Sequence, residues 1–263
     1  MMSSSGTKSK GEKIVSTIEG VEIADPKYVF RGLTYGQWVA IRWNDVLSAQ
    51  PDKYYDPGRG MVFLRGGFDT SYRETDPIKR IYAVQTKGSR IKISQDTALL
   101  VPIITTTLVK DDTYQGVVLK DEISLRYSAR LDTVNGGDLF ARIKKKPDDK
   151  VYKLVDDLND YIIETEFFPL LVDENSPYKD IMDGKFPPGP QYAVSVGVYV
   201  IISKLPLGTF RIEFGGKGVG KYFTHSIYDI EVIEPKVKLN DISDAGSLMG
   251  KWDENFATKR SLE

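Results

Sequence analysis

The chain has 263 residues, with 36 Lys and Arg against 37 Asp and Glu, and it contains no cysteine. A formal net charge of −1 provides no overall field that would favour nucleic acid or an anionic membrane, and we expect no nucleic-acid partner. The lack of cysteine excludes disulfides, thiolate metal sites and thiol nucleophiles.

The predicted organisation is one domain between two tails. Residues 1–27 are predicted to form a flexible arm, because the opening MMSSSGTKSKGEK is polar; the following KIVSTIEGVEIADP fits a short edge strand or part of that arm. Residues 28–235 are assigned to a single β-sandwich domain and residues 236–263 to a C-terminal tail. The sequence contains neither a signal-peptide pattern nor a run of roughly 20 apolar residues. We therefore expect a soluble protein, cytoplasmic or particle-associated.

The first predicted element is a helix in GLTYGQWVAIRWNDVLSAQP that ends before Pro51. Thr34 is in position to cap its N-terminus, and Gln37 completes a capping box. Trp38 and Trp43 are predicted core residues, because they share helical spacing with aliphatic residues. The alternative is an aromatic platform for a ligand.

Extended segments follow this helix. The runs GMVFLRGGF, RIYAVQT, SRIKIS and TALLVPIITTTLV are apolar or alternating and are separated by Gly, Asp and Pro, a pattern typical of an antiparallel sheet. In SRIKIS, Ile91 and Ile93 face one side and Lys92 the other. The last run is predicted to be a central strand, with Pro102 marking a bulge or an end of pairing.

The remaining elements complete the predicted fold. Residues 119–131 are predicted to be a helix with Ile123, Tyr127 and Leu131 on one stripe. The long strand QYAVSVGVYVIISKL is predicted to pair with GTFRIEF through the tight connection PLG, and YFTHSIYDIEVIE is the last strand. The expected fold is mainly β, an antiparallel, jelly-roll-like β-sandwich with one or two peripheral helices.

Residues 215–221 have the spacing G-x-x-x-x-G-K of a phosphate-binding loop. Tyr222, however, occupies the position where Ser or Thr would ligate magnesium, and the following residues lack the helical pattern that such a loop requires. We interpret the segment as a glycine-rich hairpin loop. Lys217 and Lys221 keep open the hypothesis that it binds an anion or a nucleotide.

Few other residues carry recognisable chemistry. His225 is the only histidine, so a Ser-His-Asp triad or an imidazole base would have to use it; the alternative is an ordinary hydrogen-bonding residue on a strand. Tyr54, Tyr55 and Arg59, in the loop KYYDPGRG, suit contacts with protein or glycan. With Lys217, Lys221 and His225, these residues are the candidate ligand-binding set.

Acidic side chains cluster in LVDDLNDYIIETE and VDENSPYKD, and paired acids can bind calcium or hydrolyse glycosides. No D-x-D-x-D-G loop is present, so we assign no metal, no cofactor and no catalytic residue. We predict a non-enzymatic binding or structural module that recognises protein or glycan, or assembles as a homo-oligomer. The alternatives are a carboxylate-dependent glycoside hydrolase and an anion or nucleotide binder at residues 215–221.

The segment GLTYGQW resembles the opening motif G-L-T-Y-G-E-W of an uncharacterised microbial family, in which a tryptophan-rich helix ending in proline follows. The resemblance continues through VFLRGGF, ISQDTALLVPIIT and LPLGTFRIEFGG, and it spans residues 32–232. Gln37 replaces the family's Glu, RWND replaces its second tryptophan region, and Phe210 replaces the His of its L-P-G-x-H-x-I-x-F hairpin. The resemblance implies the order of the elements and no catalytic residue.

Overall fold

The computed structural model describes residues 14–48, 60–65, 79–84, 91–114, 116–148, 150–176, 186–218 and 222–235. Its first sheet has seven strands: β1 (Ile14–Ile18), β2 (Val21–Ala24), β3 (Met61–Phe63), β6 (Ala98–Val109), β11 (Ile162–Glu164), β12 (Phe168–Val172) and β13 (Gly189–Lys204). The order is β1-β2-β13-β6-β3, and β11 and β12 also pair with β13.

The second sheet has six strands: β4 (Lys79–Val84), β5 (Ile91–Ser94), β9 (Gly137–Lys146), β10 (Val151–Lys153), β14 (Gly208–Lys217) and β15 (Tyr222–Ile233). The order is β10-β9-β14-β15-β4, and β5 pairs with β15 as well. Strands β7 (Thr113–Tyr114) and β8 (Val117–Val118) form a separate ribbon. Pairing is antiparallel for most strands, whereas β3 runs parallel to β6, and β4 and β5 run parallel to β15.

The described residues include two α-helices, α1 (Tyr35–Val46) and α2 (Glu122–Val134), and one 3-10 turn, η1 (Leu158–Tyr161). The predicted capping box of α1 is confirmed: the Gln37 backbone N–H donates to Thr34 Oγ1 at 3.2 Å, and the Thr34 N–H donates to Gln37 Oε1 at 2.9 Å. The helix ends at Val46, before Pro51, as predicted. Both tryptophans in this segment are buried, which confirms that they belong to the core.

The core has three layers because β13 is covered on both faces. One face carries Tyr199 and Ile201, which pack under α1. The other face carries Val198 and Val200, which pack against the second sheet. Further along that same face, Val196 packs against α2. The fold is therefore mainly β, with α1 outside the first sheet and α2 beside the second sheet.

Two local strand predictions are confirmed. In β5, Ile91 and Ile93 are buried and Lys92 is exposed. In β6, Pro102 marks a bulge, because Val198 pairs with Ile104 whereas Tyr199 pairs with Pro102, which leaves one extra residue in β6.

Residues 14–24, predicted to be a short edge strand or part of the arm, form β1 and β2 of the first sheet. Val21 and Ile23 are buried in the core between the sheets, and Ile23 pairs with Ile202 of β13. The physical reason is that the two apolar residues, two positions apart on a strand, face the same side and fill space beside the long central strand.

The predicted hairpin between β13 and β14 is wrong. Strand β13 lies in the first sheet, whereas β14 pairs with β9 and β15 in the second. Residues 205–207 connect the two sheets, and Leu205 is buried between them. A hairpin is impossible because both edges of β13 are already occupied, one by β6 and the other by β2, β11 and β12.

Candidate functional site

His225 belongs to an aromatic cluster on the outer face of the second sheet. It is half-buried, and its ring meets Phe140 edge-on at 5.3 Å and Phe223 at 6.5 Å between centroids. The two phenylalanine rings stack at 6.3 Å, and the guanidinium of Arg142 lies 5.1 Å from the Phe140 centroid. Gly215 pairs with both Phe140 and His225, so it lies between the two strands that carry these rings.

Two glycines of the predicted loop, Gly215 and Gly216, are packing residues in β14. A Cβ atom on Gly215 would lie 1.9 Å from the carbonyl oxygen of Thr224, and one on Gly216 would lie 2.5 Å from the side chain of Leu139. Strand β15 follows in antiparallel pairing, which confirms the hairpin interpretation. A phosphate loop needs a helix to begin there, and a strand begins instead.

Lys217 forms an ion pair with Asp138. Asp138 also lines a cleft of about 440 Å³, together with Asp156 and Asp157. Asp157 accepts hydrogen bonds from the backbone and side-chain nitrogens of Asn159 at 2.8 and 2.9 Å, and so caps η1. Asp138 and Asp157 are therefore already engaged with other groups. Glycoside hydrolysis would need two carboxylates that face each other across a groove. The hydrolase alternative stays a prediction.

Four of the six predicted ligand-binding residues lie outside the described residues: Tyr54, Tyr55, Arg59 and Lys221. The other two, Lys217 and His225, lie at the same end of the β14–β15 pair, where Lys217 pairs with Phe223 and Gly215 pairs with His225.

The apolar stripe predicted on α2 exists, but it faces solvent. Ile123 is 81% exposed, Tyr127 65% and Leu131 37%. The buried side of the helix instead carries Leu125 and Ala129, which pack against the first sheet. The sequence identifies the stripe by its spacing but does not indicate which side of the helix is covered.

The helix that carries this stripe is firmly attached. Arg126 Nη1 donates to the backbone carbonyl of Thr165 at 2.7 Å, and Arg130 Nε lies 3.2 Å from Glu164 Oε1. Near the C-terminal end, Thr133 Oγ1 donates to the carbonyl oxygen of Val196 in β13 at 3.0 Å. The exposed stripe therefore belongs to a helix held at both ends against the sheet.

The β7–β8 ribbon adds apolar surface beside α2. Val117 is 62% exposed and Val118 is 48% exposed. Tyr114, which pairs with Val117, donates its hydroxyl to Asp132 of α2 and ties the ribbon to the helix. We call the five exposed residues the α2 face; they are Val117, Val118, Ile123, Tyr127 and Leu131.

A buried polar cluster lies between α1 and the first sheet. Trp43 Nε1 donates to Ser195 Oγ at 3.1 Å and to Tyr199 Oη at 3.2 Å, and Thr107 Oγ1 donates to Ser195 Oγ at 2.9 Å. Arg42 is also buried in this helix, and its three guanidinium nitrogens have no hydrogen-bond partner. Sequence reasoning missed this arginine because one charge inside an apolar helix has no periodic signal.

Among the described residues, no group of His, Asp and Glu is arranged to hold a metal ion. The same part of the chain contains no helix that is long and apolar enough to cross a membrane. Comparison of the chain with protein families, curated proteins and solved structures finds no match. The function is therefore inferred from the geometry of the chain itself.

Proposed function

We propose that this chain is a non-enzymatic β-sandwich module that assembles with a second copy of itself through the α2 face. The observation that carries the proposal is the exposed stripe of Ile123, Tyr127 and Leu131 on a helix that is held against the sheet. Large apolar side chains on a fixed surface gain free energy when a partner removes them from water.

The size of the surface fits a protein partner. The exposed fractions of its five residues sum to about 500 Å² of mainly apolar surface. A standard interface buries about 800 Å² on each partner, with an apolar centre and a polar rim. The α2 face supplies such a centre, and the charged residues Arg126 and Arg130 border it.

The arrangement along the helix favours a second copy as the partner. Ile123 and Leu131 each lie four residues from Tyr127, on opposite sides of it. When two such helices pack antiparallel around a two-fold axis at Tyr127, Ile123 of one copy faces Leu131 of the other. This self-complementary pattern is what an isologous dimer interface requires.

A glycan fits the α2 face less well than a protein does. Sugars are held by hydrogen bonds to their hydroxyl groups in addition to stacking on aromatic rings, and four of the five residues here are aliphatic. Aliphatic side chains contribute mainly by burial, which a protein surface of matching shape provides.

The experiment is light scattering coupled to size-exclusion chromatography of the full chain, over about 1 to 100 µM. We expect a dimer in the wild type and a loss of dimer affinity of at least tenfold in Ile123→Asp, because a buried carboxylate without a partner is unfavourable. Leu207→Asp is the matched control. Leu207 is also exposed but lies in the connection between the sheets, so that variant should still dimerise.

Circular dichroism of both variants tests that they fold. A wild type that is monomeric throughout the concentration range contradicts self-assembly. A folded Ile123→Asp variant that dimerises as well as the wild type would place the interface elsewhere.

A further inference from the structure

Arg42 is a buried cation without a hydrogen-bonding partner. Its exposed fraction is 0%, and Nε, Nη1 and Nη2 all lack an acceptor. The guanidinium carbon lies 4.9 Å from the ring centroid of Trp43. An aromatic face attracts a cation. It does not, however, accept hydrogen bonds from the guanidinium N–H groups, which point outward in the plane of the group.

Such a group calls for an explanation, because buried polar atoms in folded proteins nearly always have partners. Burial lowers the pKa of the Arg42 guanidinium. Arginine nevertheless keeps its proton at neutral pH, since its ordinary pKa is so high. It cannot relieve the cost of burial by losing its charge, so an acceptor has to be supplied.

Among the described residues, charged and phenolic groups lie near Arg42. Arg65, just after β3, is close enough to lower the pKa of Arg42 further, and Asp45 is close enough to raise it. Neither Asp45 nor the hydroxyls of Tyr199 and Tyr228 accept a hydrogen bond from the Arg42 guanidinium. An anion placed here would be attracted by both cations.

Tyr199 provides a second group suited to an anion. Its hydroxyl oxygen accepts a hydrogen bond from Trp43 Nε1 at 3.2 Å and lies 2.9 Å from Ser195 Oγ. Either hydroxyl can be the donor in the second contact. When Ser195 donates, the hydrogen of Tyr199 is available to an anion in the neighbourhood of Arg42.

We propose that Arg42 anchors a buried site for a small oxyanion, a carboxylate or a phosphate group, between α1 and the first sheet. The planar guanidinium can donate two parallel hydrogen bonds to two oxygens of either group. The anion would also neutralise the positive charge of Arg42, which a water molecule cannot do. The face of Trp43 covers one side of the fork and leaves its N–H edge for the ligand. This site is independent of the α2 face and of the assembly proposed there.

The test is thermal unfolding of the full chain in chloride, acetate or phosphate at a constant ionic strength of about 0.15 M. Because the site is buried, each anion is added before a cycle of unfolding and refolding. We expect phosphate or acetate to raise the wild-type Tm by about 5 °C relative to chloride, since a ligand that binds only the folded state stabilises it. A response to phosphate alone identifies a phosphate site, and a response to acetate alone a carboxylate site.

The decisive variant is Arg42→Met, with Arg211→Met as the matched control. Arg211 already pairs with Asp229 through two hydrogen bonds of 2.9 Å, so its loss should leave the response to anions intact. Arg42→Met should abolish that response. In chloride it should unfold at or above the wild-type temperature, because it removes a buried charge that has no partner.

Two results would overturn the proposal. One is an Arg42→Met variant that responds to anions like the wild type. The other is a combination of two observations: Arg42→Met is markedly less stable than the wild type in chloride, and phosphate and acetate do not change the wild-type Tm. This combination would mean that the chain itself supplies the acceptor. If Arg42→Met does not fold, the wild type decides: it is refolded in labelled phosphate or acetate and passed through a desalting column in chloride. One anion retained per chain supports the site, and no retained anion contradicts it.

Discussion

At the scale of single residues, the glycines of β14 can be explained by packing or by ligand binding, and the two explanations predict different effects of substitution. The carbonyl oxygen of Thr224 occupies the space that a side chain at Gly215 would need. Gly215 therefore allows close contact between paired strands in the middle of the second sheet. A glycine kept for a phosphate would have a different consequence, because its substitution would weaken binding without disturbing the strands.

Replacement of Gly215 by alanine should lower the free energy of unfolding by about 3 kcal/mol, because the backbone of β15 has to move away from the new methyl group. Gly137→Ala is the control: nothing lies within 4 Å of the Cβ position there, so we expect a change of about 0.5 kcal/mol or less. Denaturant unfolding measures both variants. If the two variants were equally stable, the close contact with the Thr224 carbonyl oxygen would not be the reason for glycine at position 215.

At the scale of elements, α1 is specified by signals within its own sequence. Thr34 and Gln37 satisfy two of the N–H groups that a helix start leaves without partners. Apolar positions then place Trp38, Val39 and Val46 in the core. Cap and stripe agree on one structure, which is why the start and type of this helix are predictable.

Thr34→Ala removes the side-chain half of the capping box and should cost about 1 kcal/mol of stability. Thr34→Ser keeps the hydroxyl and should remain within about 0.5 kcal/mol of the wild type, since serine caps as well as threonine does. Urea titration followed by far-UV circular dichroism gives both values. A serine variant as unstable as the alanine variant would show that the methyl group of Thr34 matters more than its hydrogen bond.

Elements whose partners lie far away in the chain are less predictable. The alternation in β5 gives its buried side correctly, because one strand carries that information. The spacing of Ile123, Tyr127 and Leu131 defines a stripe, yet the covered side of α2 depends on which residues of β6 and β13 it meets. The pairing of β13 likewise depends on four other strands, so the short connection to β14 suggests a hairpin that does not form.

The candidate site residues also differ in how far the sequence alone can predict them. The hairpin predicted around residues 215–221 follows from local residue types, and Lys217 and His225 lie at the same end of the β14–β15 pair. Arg42 carries no local signal, because its lack of a partner depends on how α1 meets the first sheet and the residues around Tyr199. Spacing can indicate a binding loop, whereas an unpaired buried charge is visible only once the layers are packed.

At the scale of the whole molecule, the long strand β13 contributes to the core on both of its faces. One of its edges is filled by β6 and the other by three short strands, of which β2 covers the end near Ile202. The hydroxyl of Tyr35 continues that edge: it donates to the carbonyl oxygen of Ala24 at 2.8 Å and accepts from the Ile201 N–H at 2.9 Å. Burial raises the pKa of this hydroxyl well above its usual range, so it remains a donor at neutral pH. Strand β2 is therefore joined both to the sheet and to α1.

Removal of residues 1–24 should consequently destabilise the whole domain. The truncation exposes the edge of β13 and deletes Val21 and Ile23, whose burial contributes about 2 kcal/mol each. We expect an unfolding midpoint that is several degrees lower and increased light scattering, because an unpaired strand edge invites association with other chains. Glu22→Ala in the full chain is the control, since its neighbour Lys204 forms only a partly exposed ion pair with it. A truncated chain that unfolds at the wild-type midpoint would mean that residues 14–24 act as a detachable arm, and that β13 tolerates an open edge.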